Sequence, residues 1–377
     1  MNKNQNLLIK LFILLFLGSV FSCKNIKAYG DQEIVYKTSK EHFILKNNQM
    51  LITAKINQTI DTLIFDTGAS STIIFNESII NDGGFISNFK IGAKLPDKSK
   101  IYFQEKKYSI DNNIISSNNI VLKTLNIPKH PCSKSQMKDV FGNSVFKKNE
   151  KILNLDFEKS TIGILNLEEY NLILNDNTYF EIPIKTKGGV YVIIEEGKYK
   201  GDYLVDTGNS GSALITNNNQ LINKENSEIF EGTVFSQANG KIESNNYTYI
   251  NTINDFPLLE KTKINIIYFE KYKGNNLGLE FIKRFNWIID FKNSKAYIKV
   301  IDSKDSEKHL LPFSYLCNIE DDKLKICTKN ISDSTYNLGD EIISIGNELI
   351  SLNNICEKMN LLNKTEDWKQ LNLLVKK

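Results

Sequence analysis

The chain has 377 residues, 41% apolar and 24% charged, with a formal charge of +3. That length allows two or three domains with substantial cores. The small charge rests on scattered basic residues and gives no electrostatic case for nucleic acid. The three histidines, His42, His130 and His309, lie too far apart for metal-ligand spacing.

Residues 1–22 read as an export signal. Lys3 and Lys10 give a positive start, and LFILLFLGSVF (11–21) is an apolar core too short to span a bilayer comfortably. The stretch VFSC (20–23) resembles a bacterial lipobox. That resemblance implies diacylation of Cys23, a lipid anchor in the cell envelope and, with Lys24 following, the outer membrane. A plain secretory signal with a coincidental cysteine is the alternative. Residues 23–40 are expected to be a polar tether.

The next feature occurs twice. LIFDTGAS (63–70) and YLVDTGNS (203–210) share Asp-Thr-Gly behind a short apolar run. A given tripeptide is expected only about 0.05 times by chance in a chain of this size. Upstream of each copy lie two or three short strands joined by turn-forming residues, then a buried strand ending at Asp. Downstream, DVFGNSVFKKNEKILNLDFEKSTIGI (139–164) parallels NLGLEFIKRFNWIIDFKNSKAYI (276–298). Gly142 follows Asp66 by 76 residues and Gly278 follows Asp206 by 72. Order, spacing and residue type recur, so the chain holds two copies of one mostly β unit. Between these landmarks, residues 94–119 and 236–250 read as hairpins, the second around Asn239-Gly240. Residues 166–179 read as the link between copies.

On these motifs the region 41–300 resembles the pepsin and retropepsin superfamily of aspartic proteases in its two-lobed, single-chain form. The implied fold is mainly β, with lobes at 41–167 and 168–302. The resemblance implies Asp66 and Asp206 as a catalytic pair, with Thr67, Gly68, Thr207 and Gly208 holding the two loops and Gly142 and Gly278 packed behind them. It suggests Tyr108 as a flap residue over the cleft. Two adjacent carboxylates cannot both ionise cheaply, so they share one proton. The charged member takes a proton from a water and the protonated member polarises the scissile carbonyl. This chemistry needs no metal or cofactor, and with both half-sites in one chain a monomer is expected. Ala69 and Asn209 stand where acid-acting relatives carry Ser or Thr, which points to an optimum nearer weakly acidic or neutral pH.

After Val300 the repeat ends, and residues 303–309 read as a solvated linker. CNIEDDKLKIC (317–327) is a hairpin whose Cys317 and Cys327 are either bridged across strands or free buried thiols. The run LGDEIISIGNE (338–348) resembles the PDZ signature, so residues 310–377 are expected to be a small PDZ-like α+β domain, with a helix at 353–363 and a last strand. The expected function is a lipid-anchored envelope endopeptidase acting on a peptide or protein substrate. A non-catalytic peptide-binding or assembly lipoprotein using the same cleft and tail is the alternative.

Overall fold

A computed structural model describes residues 33–86, 91–94, 100–125, 132, 138–175, 177–216, 227–236, 242–259, 262–269, 274–302, 304 and 314–377. The export signal, Cys23 and most of the linker lie outside them. Strands Ile44–Lys46, Gln49–Ile56 and Thr59–Asp66 deliver the first Asp-Thr-Gly. Strands Phe180–Lys185, Tyr191–Ile194 and Gly201–Asp206 deliver the second. Strand periodicity explains how. Leu63, Phe65 and Thr67 are buried while Ile64 and Asp66 are half-buried, and Tyr203, Val205 and Thr207 alternate with Leu204 and Asp206 in the same way. Alternate side chains therefore enter the core and put each carboxyl on the opposite face.

The two copies share their strand pairings as well as their order. Val140–Gly142 runs parallel to the first aspartate strand, with Gly142 opposite Asp66, and Asn275–Gly278 runs parallel to the second, with Gly278 opposite Asp206. A two-residue strand pairs antiparallel to each of these crossing strands, Ile73 with Val140 and Ala213 with Leu277. The same short strands run parallel to Ile115–Thr124 and Ile264–Phe269. Each crossing strand leads into a short helix, Ser144–Lys148 or Leu279–Ile282. Both lobes also carry a hairpin. In the first, Ile91–Lys94 pairs with the start of Lys100–Asp111, and in the second, Glu228–Ser236 pairs with Ile242–Ile253. Both hairpin tips lie outside the described residues.

The lobes join through one antiparallel sheet. Ile152–Asp156 pairs with Phe285–Asp290 at its centre, Thr161–Leu165 and Lys295–Val300 flank these, and Glu41–His42 and Phe180–Lys185 close the edges. One apolar core runs through both copies, with Phe65, Phe141, Phe146, Phe281, Phe285 and Trp287 at its heart. Helix Leu167–Leu174 occupies the expected link, its start fixed by reciprocal bonds between Asn166 and Glu169. The mainly-β expectation is met. The tether is shorter than the sequence suggests, because Val35–Tyr36 pairs with Ser116 and Ile115 of the first lobe and the Tyr36 hydroxyl donates to the Val145 carbonyl.

The C-terminal residues form a separate small core around Tyr315, Tyr336 and Trp368. Tyr315–Glu320 and Lys323–Asn330 make the expected hairpin, with Asp321 and Asp322 at positive φ in its two-residue turn. Glu341–Ile345 pairs with Leu373–Lys376, and helix Ile355–Leu362 packs over the hairpin. Among the described residues, two attachments tie this module to the rest. Phe230 to Gly232 of the second-lobe hairpin pair with Asn330 to Thr328, and a disulfide joins Cys132 to Cys356 across 224 residues. Cys317 and Cys327 are free thiols, not a cross-strand bridge, because a bulge after Leu316 sets Cys317 opposite Ile326. Burial pushes both thiols up, Cys327 to about 11 and Cys317 well above its usual value, so they stay protonated. The Asn363 side chain meets the outer edge of the hairpin, accepting from Cys317 N and donating to Cys317 O, each at 2.9 Å.

Candidate active site

The two Asp-Thr-Gly loops meet face to face. Thr67 N donates to Thr207 Oγ1 at 3.0 Å and Thr207 N donates to Thr67 Oγ1 at 3.1 Å. Each hydroxyl passes its own proton on, Thr67 to the Val205 carbonyl at 2.6 Å and Thr207 to the Phe65 carbonyl at 2.7 Å. Both threonines are fully buried. Each loop thereby holds the backbone of the other immediately before its aspartate, which fixes the two carboxyls relative to each other.

Asp66 Oδ1 accepts from Gly68 N and Ala69 N at 2.8 and 2.9 Å, and Asp206 Oδ1 accepts from Gly208 N and Asn209 N, both at 3.1 Å. A Cβ on Gly68 would stand 2.6 Å from Asp206 Cγ, and one on Gly208 would stand 2.5 Å from Asp66 Cγ. Each glycine is the gap into which the opposite carboxyl fits. The carboxyls interact directly. Burial, the charge of Asp206 and a hydrogen bond with Asp206 hold Asp66 well above the ordinary carboxylate range, against the opposing pull of the Ala69 and Gly68 amides. Gly142 and Gly278 lie behind the loops, where a side chain would collide with Ser71 and Ala69 or with Gly211 and Asn209. Asn143 Nδ2 donates to the Thr67 carbonyl at 2.6 Å and so braces the first loop from below.

Tyr108 departs from its expected role. Its ring is 2% exposed, packed in the first-lobe core against Gly83, on the length of Lys100–Asp111 that pairs with Ile115–Thr124. Tyr108 is a core residue of the first lobe and not the flap residue expected.

Asn276 was not among the residues singled out from the sequence. It is 2% exposed on the second crossing strand and donates from Nδ2 to Asp206 Oδ2 at 2.6 Å, while its Oδ1 accepts from Asn209 Nδ2 at 2.9 Å. The available signal was a mismatch between the copies, Val140-Phe141-Gly142 against Asn276-Leu277-Gly278. A second carboxyl pair lies deeper in the first lobe. Asp139 is 1% exposed, accepts on Oδ1 from Phe75 N and Asn76 N at 2.7 and 3.0 Å, and lies beside Asp61. Among the described residues, no group of three or more His, Cys, Asp or Glu is placed to hold a metal ion.

No family model matches the chain, and no curated protein matches it. Solved structures do. One is an aspartic proteinase from Irpex lacteus, similar at 9% identity over 72% of this chain and 99% of that one, with a TM-score of 0.42.

Proposed function

We propose that the chain is an aspartic-type endopeptidase that hydrolyses peptide bonds with a water activated between Asp66 and Asp206. The observation that carries this reading is the mutual fit of the two loops, in which each carboxyl fills the gap at the opposite loop's glycine across interlocked Thr67 and Thr207. Such a pair at intermediate pH holds one proton, and the two ionisation steps belong to the pair rather than to either residue. The charged carboxylate can then take a proton from water while the acid polarises a carbonyl, in one step and without a covalent intermediate. The absence of a hydroxyl at Ala69 removes one means of stabilising an ionised Asp66, in keeping with weakly acidic to neutral working conditions.

The substrate is proposed to be an extended peptide or unfolded protein segment, bound by a monomer. Tethering through a lipidated Cys23 in the bacterial envelope is part of the same proposal. It is supported by the sequence of residues 1–24 and by the Cys132–Cys356 disulfide, which suits an oxidising compartment outside the cytoplasm. The PDZ-like reading of residues 310–377 is proposed with a bracing role. Asn363 already occupies the backbone groups of Cys317 that an added peptide strand would need.

The test is incubation of the full-length protein with a peptide library from pH 3 to 8, reading new termini by mass spectrometry, beside Asp66→Asn and Asp206→Asn. Cleavage by the parent and by neither variant is the expected result. A folded parent that cuts nothing, or a variant that still cuts, would reject the reading.

A further inference from the structure

In the second lobe a directed chain of hydrogen bonds runs from a backbone amide to a carboxylate of the candidate pair. Gly211 N donates to Asn209 Oδ1 at 2.9 Å, Asn209 Nδ2 donates to Asn276 Oδ1 at 2.9 Å, and Asn276 Nδ2 donates to Asp206 Oδ2 at 2.6 Å. A backbone N–H can only donate, so Gly211 fixes which way the Asn209 amide faces. Asn209 then fixes Asn276, whose amino group is left aimed at the carboxylate.

The first lobe lacks both members of this chain. Val140 pairs with Ile64, two residues before Asp66, just as Asn276 pairs with Leu204, two residues before Asp206. Ala69 stands where the second lobe has Asn209. Neither Val140 nor Ala69 has a polar side-chain atom. Each aspartate receives two loop amides on Oδ1, so those bonds balance across the two-fold. The Asn276 bond to Oδ2 has no first-lobe counterpart in side-chain chemistry. Among the described residues, Asp66 is the titratable group facing Asp206; the crossing strand contributes the neutral amide of Asn276, and Asp206's own loop contributes the Gly208 and Asn209 amides.

We propose that Asn276, oriented by Asn209, is a positioning residue that keeps Asp206 as the ionised member of the pair and leaves the shared proton on Asp66. This rests on the peptidase reading for its chemistry. A donor aimed at a carboxylate favours the charged form. The burial that raises Asp66 works in the same direction. Roles follow. Asp206 takes a proton from the water, the water oxygen bonds to the scissile carbon, and the Asp66 proton passes to the carbonyl oxygen. In the second step a hydroxyl of the resulting diol returns its proton to Asp66. The C–N bond then breaks as Asp206 gives its proton to the amine nitrogen. The pair ends as it began, with Asp66 protonated and Asp206 charged.

The experiment is an NMR titration of the full-length protein carrying 13Cγ-labelled aspartate, with the two resonances assigned from Asp66→Asn and Asp206→Asn. The expected result is that the Asp206 signal moves at the lower step of the pair. Asn276→Val, which installs the first lobe's residue, should raise that step by about one pH unit, the scale of one hydrogen bond to a charged group. Asn209→Ala should shift it the same way by less, and it carries the test if Asn276→Val does not fold. The acid limb of any cleavage profile should move with the step, whereas a merely structural role would lower the rate at every pH and leave the limb where it is. If the Asp66 signal moves first, or neither variant shifts the step, the proposal is overturned. Because the titration needs no substrate, a protein that cuts nothing yet shows the shift would reject the peptidase reading alone. One that cuts with an unmoved acid limb would reject this assignment alone.

Discussion

Thr67 and Thr207 are partners twice over, each accepting the other's backbone N–H and each donating to the carbonyl just before the other's aspartate. The four bonds lie at fully buried threonines, so cutting them leaves groups that water does not reach. Thr207→Val keeps the shape but orphans Thr67 N and the Phe65 carbonyl. At about 1–3 kcal/mol for each of the two stranded buried groups, the expected loss is roughly 2–6 kcal/mol. Thermal melting should show it as a drop of many degrees, and cleavage should fall further than stability because the carboxyls lose their common frame. A variant with parental melting and activity would mean that the interlock does not organise the pair.

Asp66→Asn should be inactive and yet more heat-resistant at neutral pH. Asp66 is raised in the folded state, so the fold binds its proton more tightly than the unfolded chain does. Its stability contribution is complete below about pH 4, the unfolded value, and is lost as pH rises through the folded value. Removing the titration removes that loss. Melting temperatures at pH 4 and pH 8 check it. The variant should gain on the parent at pH 8 and not at pH 4, and an equal offset at both would reject the linkage.

A second buried carboxyl predicts its own pH dependence. Burial, against the opposing Phe75 and Asn76 amides and with Asp61 beside it, pushes Asp139 up to about 7. The sign is that of Asp66: stability is held below about pH 4 and lost between there and pH 7. Asp139 Oδ2 is buried and has no hydrogen-bond partner among the described residues. Asp139→Asn puts a donor beside Asp61 while the acceptor for Phe75 and Asn76 is retained. The variant should melt above the parent at pH 8 and near it at pH 4, with little change in cleavage. A variant less stable at pH 8 would show that Asp139 is needed ionised.

How far the sequence could be read follows from the range of each interaction. The repeated triplets, the strands that deliver them and the crossing glycines are encoded in short runs whose periodicity and order survive duplication. The 317–327 hairpin was legible for the same reason, through a two-residue acidic turn between alternating apolar residues. Longer-range partnerships were not. Cys132 and Cys356 are separated by 224 residues, and nothing local distinguishes that pairing from the nearer Cys317 and Cys327. Tyr108 had a plausible separation from Asp66, but strand parity turns its ring inward. Asn276 reads as a polar residue in a buried strand until Asn209, 67 residues earlier, is seen to bond it.

The C-terminal module is held at two points, and their separate removal predicts how it serves the rest. At Gly232, φ is +98° and a Cβ would collide with the Cys327 carbonyl of the paired module strand. Gly232→Ala therefore strains the backbone and pushes the two strands apart at the same spot. The Cys132–Cys356 bond reaches the first lobe independently, and closing a loop that long is worth about 3–5 kcal/mol. With the disulfide intact, Gly232→Ala should loosen Lys323–Asn330 while the module stays attached; with Cys132→Ser added, the module should separate. Hydrogen exchange read at residues 323–330 is the measurement. Modest acceleration in each single variant and a more than additive rise in the double variant are expected, because each attachment raises the effective concentration for the other. Additive effects would mean that the two attachments act on different parts of the module and that it is not clamped between the lobes. If the brace matters for the cleft, the double variant should also weaken substrate binding with the pH profile unmoved, since none of the residues altered touches Asp66 or Asp206.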